Sequence, residues 1–148
     1  MKYEAFRADE NPVDNALAEE LTEFLHKHLD HYGDKAEYIR SCIDYASGKD
    51  RPGGLIITVR NSGQEIVGAT VICKTGMHGY IPENILVYIA VRGDQIGEGL
   101  GGKIMDMVKK QTTGDIALHV EADNPAKRLY EREGFKNPYL EMRWKRDT

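Results

Sequence analysis

Residues 85–91 read ILVYIAV, apolar at every position, so neither face of this segment can be left open to water. Seven residues are far too few to span a bilayer, and isoleucine and valine predominate, which predicts a strand inside a sheet packed on both sides. That one segment requires a sheet layer with helices above and below it. A glycine-rich stretch, RGDQIGEGLGG, follows at 92–102, and Leu100, Ile104, Met107 and Val108 then recur at helical spacing.

The remaining elements fit around this unit. KYEAFR near the start is a short strand. Asn11 and Pro12 open a helix carried by Val13, Leu17, Leu21, Phe24, Leu25 and Leu29, which Gly33 ends. A second helix runs from about Lys35, with Tyr38, Ile39, Cys42, Ile43 and Ala46 on one face and Gly48 as its stop. After the loop KDRPGG, the runs GLIITVRN and EIVGATVICK form a hairpin turning at Asn61 to Gly63. A loop, TGMHGYIPEN, leads into the apolar strand. Beyond the glycine stretch and its helix, DIALHVEA is a further strand, Asn124 and Pro125 start a helix that Gly134 ends, and YLEMRWK closes the chain as a strand. The predicted order, β-α-α-β-β-β-α-β-α-β, is a mixed α/β sheet with helices on both faces. At 148 residues, with no repeat or linker, it is expected to form one domain.

Composition excludes some partners. The formal charge of −4 gives no basic surface for nucleic acid. The longest apolar runs are too short for a membrane span, and the start, MKYEAFRADENP, is charged where a secretory leader would be apolar. Cys42 and Cys73 form no C-x-x-C motif and are expected to be free thiols in a reducing cytoplasm. HKHLDHY, at 26–32, lacks the i,i+4 histidine pair of helical zinc sites, so no metal is expected.

The glycine stretch matches two nucleotide-binding patterns on the same atoms. Gly97, Gly99 and Gly102 spell the dinucleotide fingerprint G-x-G-x-x-G, with Glu121 imitating its ribose acid. Five residues, RGDQI, separate Val91 from Gly97, however, and only one more strand–helix–strand follows, whereas that fold starts its turn at the strand end. Gly97 to Lys103 spell a P-loop, but Ile104 stands where the magnesium-binding hydroxyl belongs. A nucleotide-binding module is therefore the weaker reading. An RGD tripeptide at 92–94 would matter only on an extracellular protein.

Taken together, IAVRGDQIGEGLGGKIMDMV and, one strand later, HVEADNPAKRLYEREGF resemble the GNAT superfamily of acetyl-coenzyme A dependent N-acetyltransferases. The first stretch is similar to the family's pyrophosphate loop. The second is similar to its Asn-to-Tyr helix, here Asn124 through Tyr130 to Gly134 and Phe135, and EIVGATV stands in the hairpin position upstream. The likeness covers most of residues 54–146 and implies a GNAT-like, mostly antiparallel mixed sheet. It implies acetyl-CoA as cosubstrate and direct acetyl transfer to an amine of a small molecule or peptide, the acceptor itself being unreadable. Backbone N–H groups at a glycine-rich helix start favour an anion such as the cofactor's pyrophosphate.

By the same resemblance, the cofactor runs along Ile96, Gly97, Gly99, Gly101 and Gly102, with Asn124, Arg128 and Tyr130 beyond, and pairs with the strand at Ile89 and Val91. The family usually has Arg or Gln where Ile96 stands and often a basic residue at Glu98, departures that imply weaker binding. Arg92, Lys127 and Arg128 are candidate phosphate contacts, and Asp30, His31 and Tyr32 candidate acceptor contacts. Tyr130 holds the position of the usual general acid. For the base, His119 and Glu121 share the polar face of IALHVEA, Glu83 lies at a spacing like that of the histone-type glutamate, and a water chain is a third option. An acyl-CoA-binding sensor without turnover is the alternative function, and a homodimer is among the open oligomeric states.

Overall fold

The computed structural model describes residues 1–48 and 51–147. Strand β1 (Lys2–Arg7) is followed by α1 (Asn15–Leu29), a 3₁₀ turn at Asp30–Tyr32 and α2 (Ala36–Ala46). Next come β2 (Gly54–Arg60), β3 (Ile66–Lys74) and β4 (Asn84–Val91), a second 3₁₀ turn at Gly93–Gln95, α3 (Leu100–Gln111), β5 (Ile116–Leu118) and α4 (Lys127–Arg132). Lys49 and Asp50 of the expected KDRPGG loop lie outside the described residues.

The five strands form one sheet in sequence order, β1-β2-β3-β4-β5. The first three pairings are antiparallel and β4–β5 is parallel. Alternation along β2 sends Ile56 toward α1 and α2, where it meets Leu21, Leu25, Ile39 and Ile43, while Leu55, Ile57 and Val59 face Ile104, Met105 and Val108 of α3. Because both faces are covered, LIITV carries no polar alternation. Gly68 of β3 allows α3 to settle on the sheet: a Cβ there would stand 3.0 Å from Ile104 Cδ1 and 3.2 Å from Leu100 Cδ2. The start of α3 is thus pinned over the middle of the sheet.

Strand β4 is not the uniformly covered strand its sequence suggests. Its register with β3 jumps between Ile72↔Leu86 and Val71↔Tyr88, which leaves Val87 as the extra residue of a bulge, 37% exposed. Leu86 and Ile89 consequently share the α3 side although they are three residues apart, and Tyr88 and Ala90 face α1 and α2.

Three boundaries differ from expectation. Asp14, rather than Asn11, caps α1, its carboxylate accepting from Leu17 N at 2.8 Å, because the Asn11 side chain is engaged by Ala5 O and Arg7 N. Strand β5 has three residues instead of the eight of DIALHVEA. YLEMRWK forms no strand: Leu140, Met142 and Trp144 are 84%, 88% and 76% exposed. The alternation suits a strand, but β5 offers only a three-residue ladder to pair with.

Candidate active site

The parallel ladder joins Asn84, Ile85 and Leu86 to Ile116, Ala117 and Leu118 and stops there. Beyond Leu86 the two strands part, and among the described residues no strand runs along the β5 side of Tyr88–Val91. Arg92 N donates toward β3, to Val67 O at 2.8 Å, so by alternation the N–H groups of Val91 and Ile89 point into the gap. An extended acyl-carrier arm could take the place of the missing strand there.

The gap leads to the glycine turn. Gly97 and Gly99 have φ of +89° and +79°, a left-handed backbone that disfavours side chains, and nothing lies within 4 Å of a Cβ built on either. Among the described residues, no carbonyl or side chain accepts from the amides of Gly97, Gly99, Leu100, Gly101 or Gly102. Five donors therefore cluster where the dipole of the 12-residue α3 is positive. Ile96 projects beside them, 72% exposed. Lys103, in the first turn of α3, lines a cavity of about 300 Å³ together with Gln95 and Glu98, and sequence reasoning missed it as a cation near the turn. Arg92 is less free than expected, because Asp94 holds its guanidinium at 2.7 and 2.8 Å and Glu65 also approaches.

Gly101 faces helix α4 as well. A Cβ at 101 would stand 3.0 Å from Leu129 Cδ2, so this glycine lets the two motif helices meet. Asn124 organises the approach to α4, its Oδ1 accepting from Ala126 N at 2.9 Å, while the helix proper begins at Lys127. Arg128 is exposed on its outer side. The Tyr130 ring is buried against Phe135, edge to face at 6.0 Å. Burial pushes its phenol up to about 12. Among the described residues nothing hydrogen-bonds its hydroxyl, and the oxygen is not fully occluded.

The two candidate bases have different surroundings. Glu83 immediately precedes β4, and its carboxylate accepts from Asp115 N at 2.7 Å and Gly79 N at 3.3 Å, bracing the turn before β5. Those backbone donors, Asp115 first, hold it below the usual carboxylate range. His119 lies one residue past β5, exposed, with Arg143 Nη2 at 3.5 Å from Nδ1. The structure does not bring Glu83 and His119 together through any hydrogen bond.

The opposite wall of the gap contains a contact the sequence did not signal. Tyr88, buried on β4, donates its hydroxyl hydrogen to an Asp34 carboxylate oxygen in the α1–α2 connection, and burial chiefly, with that bond, raises the phenol further. Nearby, Tyr32 Oη donates to Asp123 O at 3.1 Å, linking the same connection to the loop after β5. In an all-apolar run Tyr88 looks like core filling, and only the fold supplies Asp34. Among the described residues no three metal-ligating side chains converge.

An open β4 edge that ends at a cradle of unpaired amides, in a mixed sheet covered by helices, sets the class of α/β fold. The family described as "Acetyltransferase (GNAT) domain" matches residues 52–137, more than half of the chain, and the protein belongs to it. No curated protein matches the sequence. Among solved structures, a ribosomal-protein-alanine N-acetyltransferase from Brucella melitensis superposes with TM-score 0.67 at 13% identity, covering 100% of both chains. An integron cassette protein from the mobile metagenome of V. cholerae gives 0.66 at 18%, covering 99% of this chain and 94% of that one. Tetrahymena GCN5 gives 0.64 at 16%, covering 90% and 78%. At these identities the superpositions establish the fold, and membership of the family supports acetyl transfer in general. Among the described residues no helix is long and apolar enough to cross a membrane.

Proposed function

We propose that the protein transfers the acetyl group of acetyl-CoA directly to an amine, of a small molecule or an exposed peptide. The observation that carries this reading is the continuity of the open Ile89–Val91 edge with the five unpaired amides at Gly97–Gly102. In this reading the amides and Lys103 hold the pyrophosphate, Arg128 assists, and Asn124 sets the start of α4. The β4 N–H groups hold the carrier arm and polarise the thioester carbonyl, where preorganised donors act most strongly as charge develops.

Tyr130 donates to the departing sulfur. A phenol near 12 stays protonated at neutral pH and is a weaker acid than a thiol of about 8.5. Its main contribution is therefore a hydrogen bond that stabilises the thiolate rather than early proton release. His119 takes the ammonium proton by way of solvent, since its ring is exposed, whereas the Glu83 carboxylate is already committed to two amides.

Thermal shift with acetyl-CoA, CoA, NAD and ATP, followed by acetyl-CoA turnover on a panel of amines, tests the proposal. Stabilisation by the CoA species and turnover on at least one amine are expected. Indifference to both CoA species overturns the reading, and stabilisation without turnover on any amine supports a sensor instead.

A further inference from the structure

Cys42 and Cys73 are 31 residues apart in sequence, yet their sulfurs lie 3.6 Å from one another. One is on α2 and the other is the penultimate residue of β3, and neither is fully buried. Both line a cavity of about 350 Å³ with Ser41, Tyr45, Thr75 and the bulged Val87. Tyr45 Oη also donates to Lys74 O at 2.7 Å, so a second link already holds α2 against the end of β3 in this register. Nothing in acetyl transfer uses either thiol.

We propose that this pair is an oxidative modification site, at which hydrogen peroxide or a similar two-electron oxidant closes a reversible Cys42–Cys73 disulfide. A disulfide needs its sulfurs at about 2.05 Å, so the elements must close by roughly 1.5 Å from the present contact. The cavity admits a molecule the size of peroxide to both sulfurs. Either sulfur can donate in this contact, and with Cys42 as donor Cys73 is lowered, while the contact and burial raise Cys42. With that donor Cys73 is the first nucleophile, and the reverse order yields the same disulfide.

The Cys73 thiolate attacks one peroxide oxygen, an S–O bond forms, the O–O bond breaks, and the departing hydroxide takes up the thiol's proton as water. The Cys42 sulfur then attacks Cys73, the S–S bond forms and the S–O bond breaks, and the second hydroxide leaves as water with the Cys42 proton. Two thiols and one peroxide yield one disulfide and two waters; the sulfurs lose two electrons and the peroxide gains them. The bond ties α2 to β3 beside the bulge of β4.

The test is to treat the reduced, folded chain with stoichiometric hydrogen peroxide and measure intact mass, non-reducing peptide maps and Tm. Expected are loss of two hydrogens, a peptide linking positions 42 and 73, full reversal by dithiothreitol, and a Tm higher by roughly 5–10 °C because the cross-link constrains the unfolded chain. Cys42→Ser should leave a Cys73 sulfenic acid that dimedone traps, and neither Cys42→Ser nor Cys73→Ser should form the intramolecular cross-link. Oxygen added to the wild-type sulfurs without a cross-link, cross-links only between molecules, or a lower Tm in the cross-linked form would each overturn the proposal. None of these readouts depends on acetyl transfer.

Discussion

Leu129 occupies the space that a side chain at position 101 would need, its Cδ2 lying 3.0 Å from where a Gly101 Cβ would stand. The contact is between α3 and α4, the helices that carry the two halves of the candidate site. A branched side chain there must push them apart. Gly101→Val is expected to destabilise by about 1–3 kcal/mol, the usual range for overpacking, with Gly101→Ala milder because the Leu129 terminus can rotate. Thermal melts of both variants check this, and a Gly101→Val as stable as wild type would refute it.

Gly99 differs, since it meets nothing and is constrained only by its φ of +79°. Gly99→Ala is expected to cost roughly 1 kcal/mol of stability through the backbone. It should also weaken acetyl-CoA binding by tenfold or more, by turning the amides of the cradle. Calorimetric titration separates the two effects, and unchanged affinity would remove this turn from the binding site.

Tyr130→Phe keeps the ring and its packing on Phe135 and removes only the hydroxyl. The expected result is a kcat lower by about 10- to 100-fold with little change in acetyl-CoA affinity. An equal rate would assign leaving-group stabilisation elsewhere.

Glu83→Gln discriminates brace from base. The Glu83 carboxylate is lowered, so the stability it adds is present above the ordinary carboxylate pKa and lost as pH falls through its own. The variant should therefore melt lower than wild type at pH 7, converge with it in acid, and keep the wild-type pH dependence of kcat/KM. Loss of the acidic limb of that profile would identify Glu83 as the base after all.

Alkaline behaviour follows from the tyrosines. The Tyr130 phenol, raised to about 12, adds stability that is complete below the unfolded value near 10 and is lost as pH rises toward 12. Tyr88 acts in the same direction. Tm is expected to be insensitive to these groups from pH 7 to about 9.5 and to drop steeply above 10, Tyr130 alone accounting for about 2–3 kcal/mol at the limit. Melts of the wild type and Tyr130→Phe between pH 9 and 12 check this, and a Tm difference that stays constant across that range would contradict it.

The elements whose signal is local were legible in the residues. Leu21, Leu25, Ile39 and Ile43 mark two helices by spacing alone, and NPAKRLY placed Tyr130 on a short helix after β5. What failed depended on pairing. YLEMRWK alternates like a strand, but a strand exists only with a partner edge, and no run of residues states how long that edge will be. The Val87 bulge likewise belongs to the register between two strands rather than to either one. The Asp34–Tyr88 bond joins residues 54 positions apart, beyond the reach of spacing arguments.

The brevity of the β4–β5 ladder has a consequence for the free protein. Three residue pairs make up the β4–β5 ladder, and β5 and the residues after it are otherwise tied to the rest of the molecule by the packing of α4 on α3 and by side-chain bonds such as Tyr32 Oη to Asp123 O and Lys109 Nζ to Glu133. Such a seam opens at less free energy than the interior of β2 and β3, so the stretch from Ile116 onward is expected to open ahead of the rest of the sheet. A carrier lying along the Ile89–Val91 edge would bridge that seam, acting as a keystone borrowed from solution. Amide exchange in this region should then slow on binding while β2 and β3 hardly change, making the molecule's weakest junction its most direct reporter of occupancy.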